Sequence, residues 1–405
     1  MPALTTLRSR LHLTCSLGVY VQVPFCSSKC SFCNFSSAVA PSTVLRAYLA
    51  SLEQEIDLLP DLIAGQRVAP DFLTLPADTL YLGGGTPTLL KQEGLERLFA
   101  ALRRRLHFAG ESETTIELTP GSADRHFLDM CRRLGMNRLS IGAQSFDDRE
   151  LRSVGRLHSA VDTIRQARSA REAGFGNLSV DLIAGLPYQT EKSWLHSLHS
   201  VVDLEPEHIS IYLLEIDEKS RLGSETLRHG SRYHAGAVPD EDFMAACYEH
   251  ARELLAGEGY VQYEISNFAR PGFESRHNRK YWRLEPYLGL GAGAHSFDGL
   301  VRWANETSPG AYAGRLERNE LPISEWRSLP AVEQLEEFFF LGLRERDGVD
   351  LHVAAERWGL PAIDAWQDRI AALVRDGWLE EQGSQVRLAP STYLVSNELF
   401  QEFLE

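Results

Sequence analysis

The chain is poor in long apolar runs: nothing in its 405 residues approaches the ~20 consecutive apolar positions that a membrane-spanning helix needs. The stretch before Val19, "MPALTTLRSRLHLTCSLG", also lacks the apolar core of a secretory signal. A cytosolic, soluble protein is expected. Positive charge is in deficit, with 41 Lys and Arg against 56 Asp and Glu and a formal net charge of −15. That balance gives no electrostatic footprint for nucleic acid, which is excluded as an expected partner. Cysteine is sparse, six in all, and Cys15, Cys131 and Cys247 stand singly, like buried free thiols of a reducing compartment rather than a disulfide framework. The chain shows no low-complexity linker, and no internal repeat beyond a strand–helix alternation.

What is present is that alternation. Short β-rich runs recur at 19–23, 79–82, 115–118, 138–141, 178–183 and 208–213, with room for helices between them, as at 43–59, 91–106 and 160–173. Alternating strands and helices imply parallel βαβ units. Several of the runs read as continuously apolar, which predicts a parallel sheet covered on both faces, as in a barrel or partial barrel. Residues 217–325 are less regular and include an acidic helical stretch at 240–256. From about 332 the text changes again, to helix, helix and hairpin, the order of a small winged-helix module.

In parallel α/β folds ligands collect at the carboxyl ends of the strands. The distinctive residues fall at that address. "PFCSSKCSFCNF", 24–35, follows the first run, Gly83-Gly84-Gly85-Thr86 follows the second, Glu117 ends the third, Gln144 lies past the fourth, and Asp181 is near the end of the fifth. Taken singly, each polar residue could be a surface or capping group, and a glycine run is usually a tight turn. The C-x3-C-x2-C spacing of Cys26, Cys30 and Cys33 can ligate three irons of a [4Fe–4S] cube and leave the fourth open. A zinc site with a distant fourth ligand is the alternative.

The motifs "YVQVPFCSSKCSFCNF", "YLGGGTPT", "NRLSIGAQSFDDRELRSVGRLH", "VDLIAGLPYQT", "GYVQYEISNFA", "SRHNRKYW" and "YLGLGAGAHS" resemble the radical S-adenosylmethionine (SAM) superfamily. Within it they resemble the oxygen-independent coproporphyrinogen III oxidases and the related HemW-type haem chaperones, over nearly the whole chain. The resemblance implies an α/β fold, a radical-SAM partial (β/α)6 TIM-like barrel with a small C-terminal helical, winged-helix-like domain. It divides the chain into an N-terminal extension (1–17), the barrel (18–250), a family-specific segment (251–325) and the C-terminal domain (326–405). It also implies cofactors: a [4Fe–4S] cluster on Cys26, Cys30 and Cys33, and SAM held by Tyr20, Gly84, Gly85, Thr86, Glu117, Gln144, Arg156 and Asp181. The glycines would admit SAM where a side chain would obstruct it.

Three features favour a haem carrier over the alternative, an oxidase that decarboxylates coproporphyrinogen. The oxidases continue the triplet as C-x-C, whereas Cys33 is followed here by Asn34 and Phe35. They also carry a longer region before the cluster. "RHNRKYW" matches the H-N-x-x-Y-W signature of the carriers, so the resemblance implies haem binding by His277, Asn278, Tyr281 and Trp282. His295 is a second candidate ligand or a partner for His277, and Arg276, Arg279 and Lys280 are candidate partners for haem propionates. Without a C-x-x-C-H motif, thioether attachment of haem is not expected. One departure stands at Thr119, where the carriers commonly have Asn. The resemblance further implies haem-accepting respiratory membrane proteins as partners, a homodimer, and a cytoplasmic place at the inner membrane.

Overall fold

The computed structural model describes residues 16–65 and 68–404. Cys15 and most of the N-terminal extension lie outside the described residues. Six strands, β1 (Leu17–Val23), β2 (Ala77–Gly84), β3 (Phe108–Leu118), β4 (Arg138–Gln144), β5 (Leu178–Ala184) and β6 (His208–Leu213), lie side by side in sequence order, all parallel. They contain the six runs read from the sequence. Parallel neighbours need crossovers, and helices α1 (Ser42–Leu58), α2 (Lys91–Arg105), α3 (Arg125–Leu134), α4 (Ala160–Glu172) and α5 (Glu191–Val202) supply them. Local chemistry sets their ends. Ser159 and Asp162 form a capping box on α4, while Asp124 caps α3, which ends on Gly135 at φ 97°.

The strands are not apolar on both faces, as their runs suggested. In β4, Leu139, Ile141 and Ala143 join the hydrophobic core with Leu128 and Met130 of α3, whereas Arg138, Ser140, Gly142 and Gln144 face a cavity inside the barrel. In β5 the core takes Val180 and Leu182, and the cavity takes Ser179 and Asp181. Side chains alternate across a strand, so one face seals the barrel against its helices and the other is free to be polar.

After α6 (Glu241–Gly257), the segment set apart as 251–325 is woven into this same sheet. The strands β7 (Val261–Gln262) and β8 (Asn267–Ala269) extend it antiparallel beyond β6. Helix α7 (Arg276–Trp282) then leads to β9 (Tyr287–Leu290), which pairs parallel with the free edge of β1. From there β10 (His295–Phe297), β11 (Val301–Asn305) and, after α8 (Pro309–Leu316), β12 (Ile323–Ser328) continue antiparallel. The twelve-stranded sheet keeps two separate edges, β12 and β7, so the barrel is partial. The C-terminal region runs α9 (Ala331–Gly342), β13 (Val349–Asp350), α10 (Leu351–Trp358), α11 (Leu360–Arg375), β14 (Leu379–Gln382) and β15 (Gln385–Leu388). Its three strands pair antiparallel, β15 central, in a winged-helix-like order. Phe339, Trp366 and Phe403 stack at its centre. Among the described residues no helix is long and apolar enough to cross a membrane.

Candidate cofactor site

A cavity of about 410 Å³ opens at the carboxyl ends of the strands and runs down into the barrel. Cys26, Cys30, Cys33, Gly84, Gly85, Thr86, Glu117, Gln144, Arg156 and Asp181 all line it, as does Thr119. Tyr20 does not. It lies deeper, half-buried, with its ring 6.1 Å from that of Tyr81 and its hydroxyl on the Gln22 side chain.

The cysteine loop is pinned in a compact turn. Cys26 N–H donates to Ala38 O (3.0 Å), Ser31 N–H to Val154 O (3.0 Å), and Lys29 Nζ to the carbonyls of Phe35 (3.3 Å) and Ser37 (3.1 Å). Burial pushes the Cys33 thiol up, and the neighbouring Cys30 and Cys26 add to the effect. Three half-buried thiols facing one cavity suit a cube held at three corners. Arg156 donates from Nη1 to Cys30 Sγ (3.5 Å) and from Nη2 to Gly142 O, placing a fixed positive charge beside the loop.

The glycines have a reason besides the one expected. A Cβ on Gly85 would come within 2.4 Å of Phe25 O and 2.7 Å of Val23 O, and one on Gly84, at φ +99°, would collide with Gln22. The missing side chains let the end of β2 press against the end of β1, where Gly85 N–H donates to Val23 O (2.9 Å) and Thr86 N–H to Phe25 O (2.7 Å). They hold the cysteine loop in place and also line the cavity.

Glu117 accepts from Tyr81 Oη (2.9 Å) and from Gly84 N–H (3.1 Å), and burial, reinforced by Asp181, raises its pKa to about 7. Asp181 is raised too, chiefly by burial, and is held by Ser210 and Ser140. Gln144 sits at φ 70°, beside a register shift that ends the β4–β5 pairing. A left-handed non-glycine residue at a strand end is a strained position of the kind kept at functional sites. Residues the sequence reading did not select also line the cavity: Arg138, Ser140, Ser179, His208, Ser210 and Tyr212. The period-2 pattern of "RLSIGAQ" was the signal that would have found the first two.

The H-N-x-x-Y-W tract is α7, and it closes the opposite end of the barrel. His277 is only 1% exposed. Its Nδ1 is bonded to Thr79 Oγ1 (2.8 Å), its Nε2 to Tyr281 Oη (2.8 Å), and burial lowers its pKa to about 3. In this structure the imidazole is not open to haem iron, because both ring nitrogens are engaged. Trp282 packs on Tyr263 (6.0 Å between ring centroids), and Asn278 alone of the four lines the cavity. Nor are the neighbouring basic residues free for propionates. Arg276 pairs with Asp78 (3.3 Å), Arg279 with Glu345 (2.9 Å), and Lys280 with Asp78 (2.9 Å) and Glu285 (3.0 Å). His295 is exposed on β10 and is not a partner of His277.

The Radical SAM superfamily profile matches residues 20–201, and that of the HemN C-terminal domain matches residues 329–395. The chain is 35% identical over 388 residues to "Heme chaperone HemW" of Bacillus subtilis, covering 96% of this chain and 99% of that one. It belongs to the HemW family, within the radical SAM superfamily. The HemW protein of Escherichia coli is 31% identical over 397 residues, covering 96% of this chain and 98% of its own. A bovine relative, "Radical S-adenosyl methionine domain-containing protein 1, mitochondrial", is 32% identical over 382 residues, covering 90% and 81%. Among solved structures, coproporphyrinogen III oxidase (HemN) from Escherichia coli superposes with a TM-score of 0.82 at 24% identity, covering 99% of this chain and 93% of that one. That likeness establishes the shared fold of this HemW-family chain from the barrel to the C-terminal domain.

Proposed function

We propose that this protein is a haem chaperone, which binds haem, carries a [4Fe–4S] cluster with SAM, and passes haem to respiratory membrane proteins. The observation that carries the reading is its near full-length similarity to proteins named as haem chaperones. Local chemistry supports it: where an oxidase would carry its fourth cysteine stands Asn34–Phe35, with Asn34 Nδ2 donating to Glu215 Oε2 (2.9 Å). When bound, a cluster on Cys26, Cys30 and Cys33 would supply an open iron for the amino and carboxylate groups of SAM. Around it, Arg156 offsets thiolate charge, Glu117 and Asp181 accept from ammonium or ribose hydroxyl groups, and Thr86 and Gln144 border the same space. Action in the cytoplasm at the inner membrane and dimerisation belong to the same proposal.

The test is a pair of anaerobic assays on the reconstituted protein. Haem should give a saturable Soret shift, and the loaded protein should donate haem to an apo-respiratory acceptor. Coproporphyrinogen III with SAM and reductant should yield no protoporphyrinogen, and sustained turnover would reverse the choice in favour of the oxidase.

A further inference from the structure

Arg138 opens β4 and is 2% exposed, yet it lines the cavity. Its Nε has no hydrogen-bond partner, and it enters none of the ion pairs found among the described residues. An unpaired buried guanidinium is costly and uncommon. Beside it in register is Thr115 on β3, fully buried, whose Oγ1 is also without a partner. Glu117 and Asp181 both feel the charge of Arg138, which lowers their pKa values, but neither forms a hydrogen bond or ion pair with it. Glu117 is turned to Tyr81 and Gly84, and Asp181 to Ser140 and Ser210. Arg138 Nε and Thr115 Oγ1 are thus two unpartnered polar atoms on neighbouring strands, Arg138 on the cavity lining and Thr115 behind it, and together they offer a recess for an acceptor.

We propose that Arg138, on the cavity wall below the cysteine loop, binds a carboxylate of the ligand that occupies the barrel, supported by Thr115 beside it. A guanidinium fork matches a carboxylate in two parallel hydrogen bonds. Two carboxylates could come here: a haem propionate, which rests on the haem reading above, or the methionyl carboxylate of SAM. Position bears on the choice. Arg138 and Gln144 stand at opposite ends of the inner face of β4, about 20 Å apart at roughly 3.3 Å per residue. A SAM carboxylate chelated at the cysteine loop would lie at the Gln144 end.

The experiment compares wild type, Arg138→Gln, Arg138→Lys and Thr115→Val in the reconstituted full-length protein, measuring affinity for haem against haem dimethyl ester and for SAM against decarboxylated SAM. Cluster absorbance and melting temperature report folding. Arg138→Gln should weaken one carboxylate-bearing ligand by roughly 10- to 100-fold and leave its carboxylate-free analogue unchanged. The pair in which discrimination disappears identifies the carboxylate's source. Arg138→Lys should lose less, having charge without the fork, and Thr115→Val, which keeps volume, serves if Arg138→Gln does not fold. Equal losses for acid and analogue, or no loss in either pair, would overturn the proposal. A wild type that binds neither haem nor its ester would overturn the haem reading instead, and the SAM pair would still test Arg138.

Discussion

At the floor of the barrel, His277 commits both ring nitrogens, Glu113 accepts from the backbone N–H groups of Arg276 and His277, and Lys280 is 2% exposed between Asp78 and Glu285. At the mouth, the Nε atom of Arg156 has no partner, and Phe35 and Leu157 stand 62% and 77% exposed at the cavity lining. Both ends are built by the same inward-facing positions of the same strands. The difference lies in how the side chains are engaged: the α7 side chains at the floor bond to their neighbours and act as a lock, whereas the mouth leaves polar and apolar groups open to a ligand. By that criterion the H-N-x-x-Y-W helix acts first as the closure of the barrel. It also ties the barrel to the C-terminal domain, because Arg279 and Arg283 share Glu345, while Arg344 reaches back to Glu264.

The sharpest break between the two ends is expected at the mouth. Cys30→Ala should abolish the visible absorption of the reconstituted cluster, from about four irons per chain to background, while leaving the melting temperature of the apo-protein within a degree or two. A cluster that persists, or a site that takes up zinc alone, would remove the three-thiolate assignment. At the floor the effects should fall on stability instead. Lys280→Ala strands two carboxylates around a buried gap, and should cost about 3 kcal/mol in denaturant unfolding with no change in the cluster spectrum. A loss below about 1 kcal/mol would mean that solvent reaches Asp78 and Glu285 well enough to replace the ammonium.

Much of this contrast was legible in the residues, and its limits are physical. The six parallel strands were readable because each is a short β-rich run with helix-length spacing between. Strand-end placement gathered Cys26, Glu117, Gln144 and Asp181 correctly, since the rule depends only on chain direction. The inner face was misjudged because Ser140, Gly142 and Ser179 are small and weakly polar, so "RLSIGAQ" and "LSVDLIA" pass for continuous runs; the alternation is real but shallow. The engagement of His277 was hidden for a different reason. A histidine, a tyrosine four residues on and basic neighbours look the same in sequence whether they await a ligand or bond to one another, and Thr79, Asp78 and Glu113 arrive from strands some 165 to 200 residues away.

A smaller effect separates lock from ligand at that histidine. His277→Phe keeps a ring in contact with Tyr20 and Tyr81 but leaves the hydroxyls of Thr79 and Tyr281 unpaired, so about 2 kcal/mol of stability should be lost. A Soret response to haem that survives in this variant would place the haem elsewhere. Its disappearance in a protein that is still folded would restore the imidazole as a ligand and require α7 to open.

The mildest test concerns the charge at the mouth. Glu117 has its pKa raised to about 7, by burial first and then by Asp181, against an ordinary carboxyl value of 4.5. Below pH 7 it is therefore mostly protonated, and above it mostly a carboxylate. The sulfonium and ammonium groups make SAM a cationic partner at this wall, so its affinity should rise as pH increases from about 6 to 8, roughly tenfold at most, because the wall gains a negative charge over that interval. His277, held near 3, contributes nothing to the slope. Glu117→Gln keeps an acceptor for Tyr81 while removing the ionisation, and should flatten the profile near its acid limit in equilibrium dialysis. A slope that persists in Glu117→Gln would assign the titration to Asp181, whose pKa burial also raises and which faces the same cavity; a flat wild-type profile would mean that the cation does not meet this wall at all.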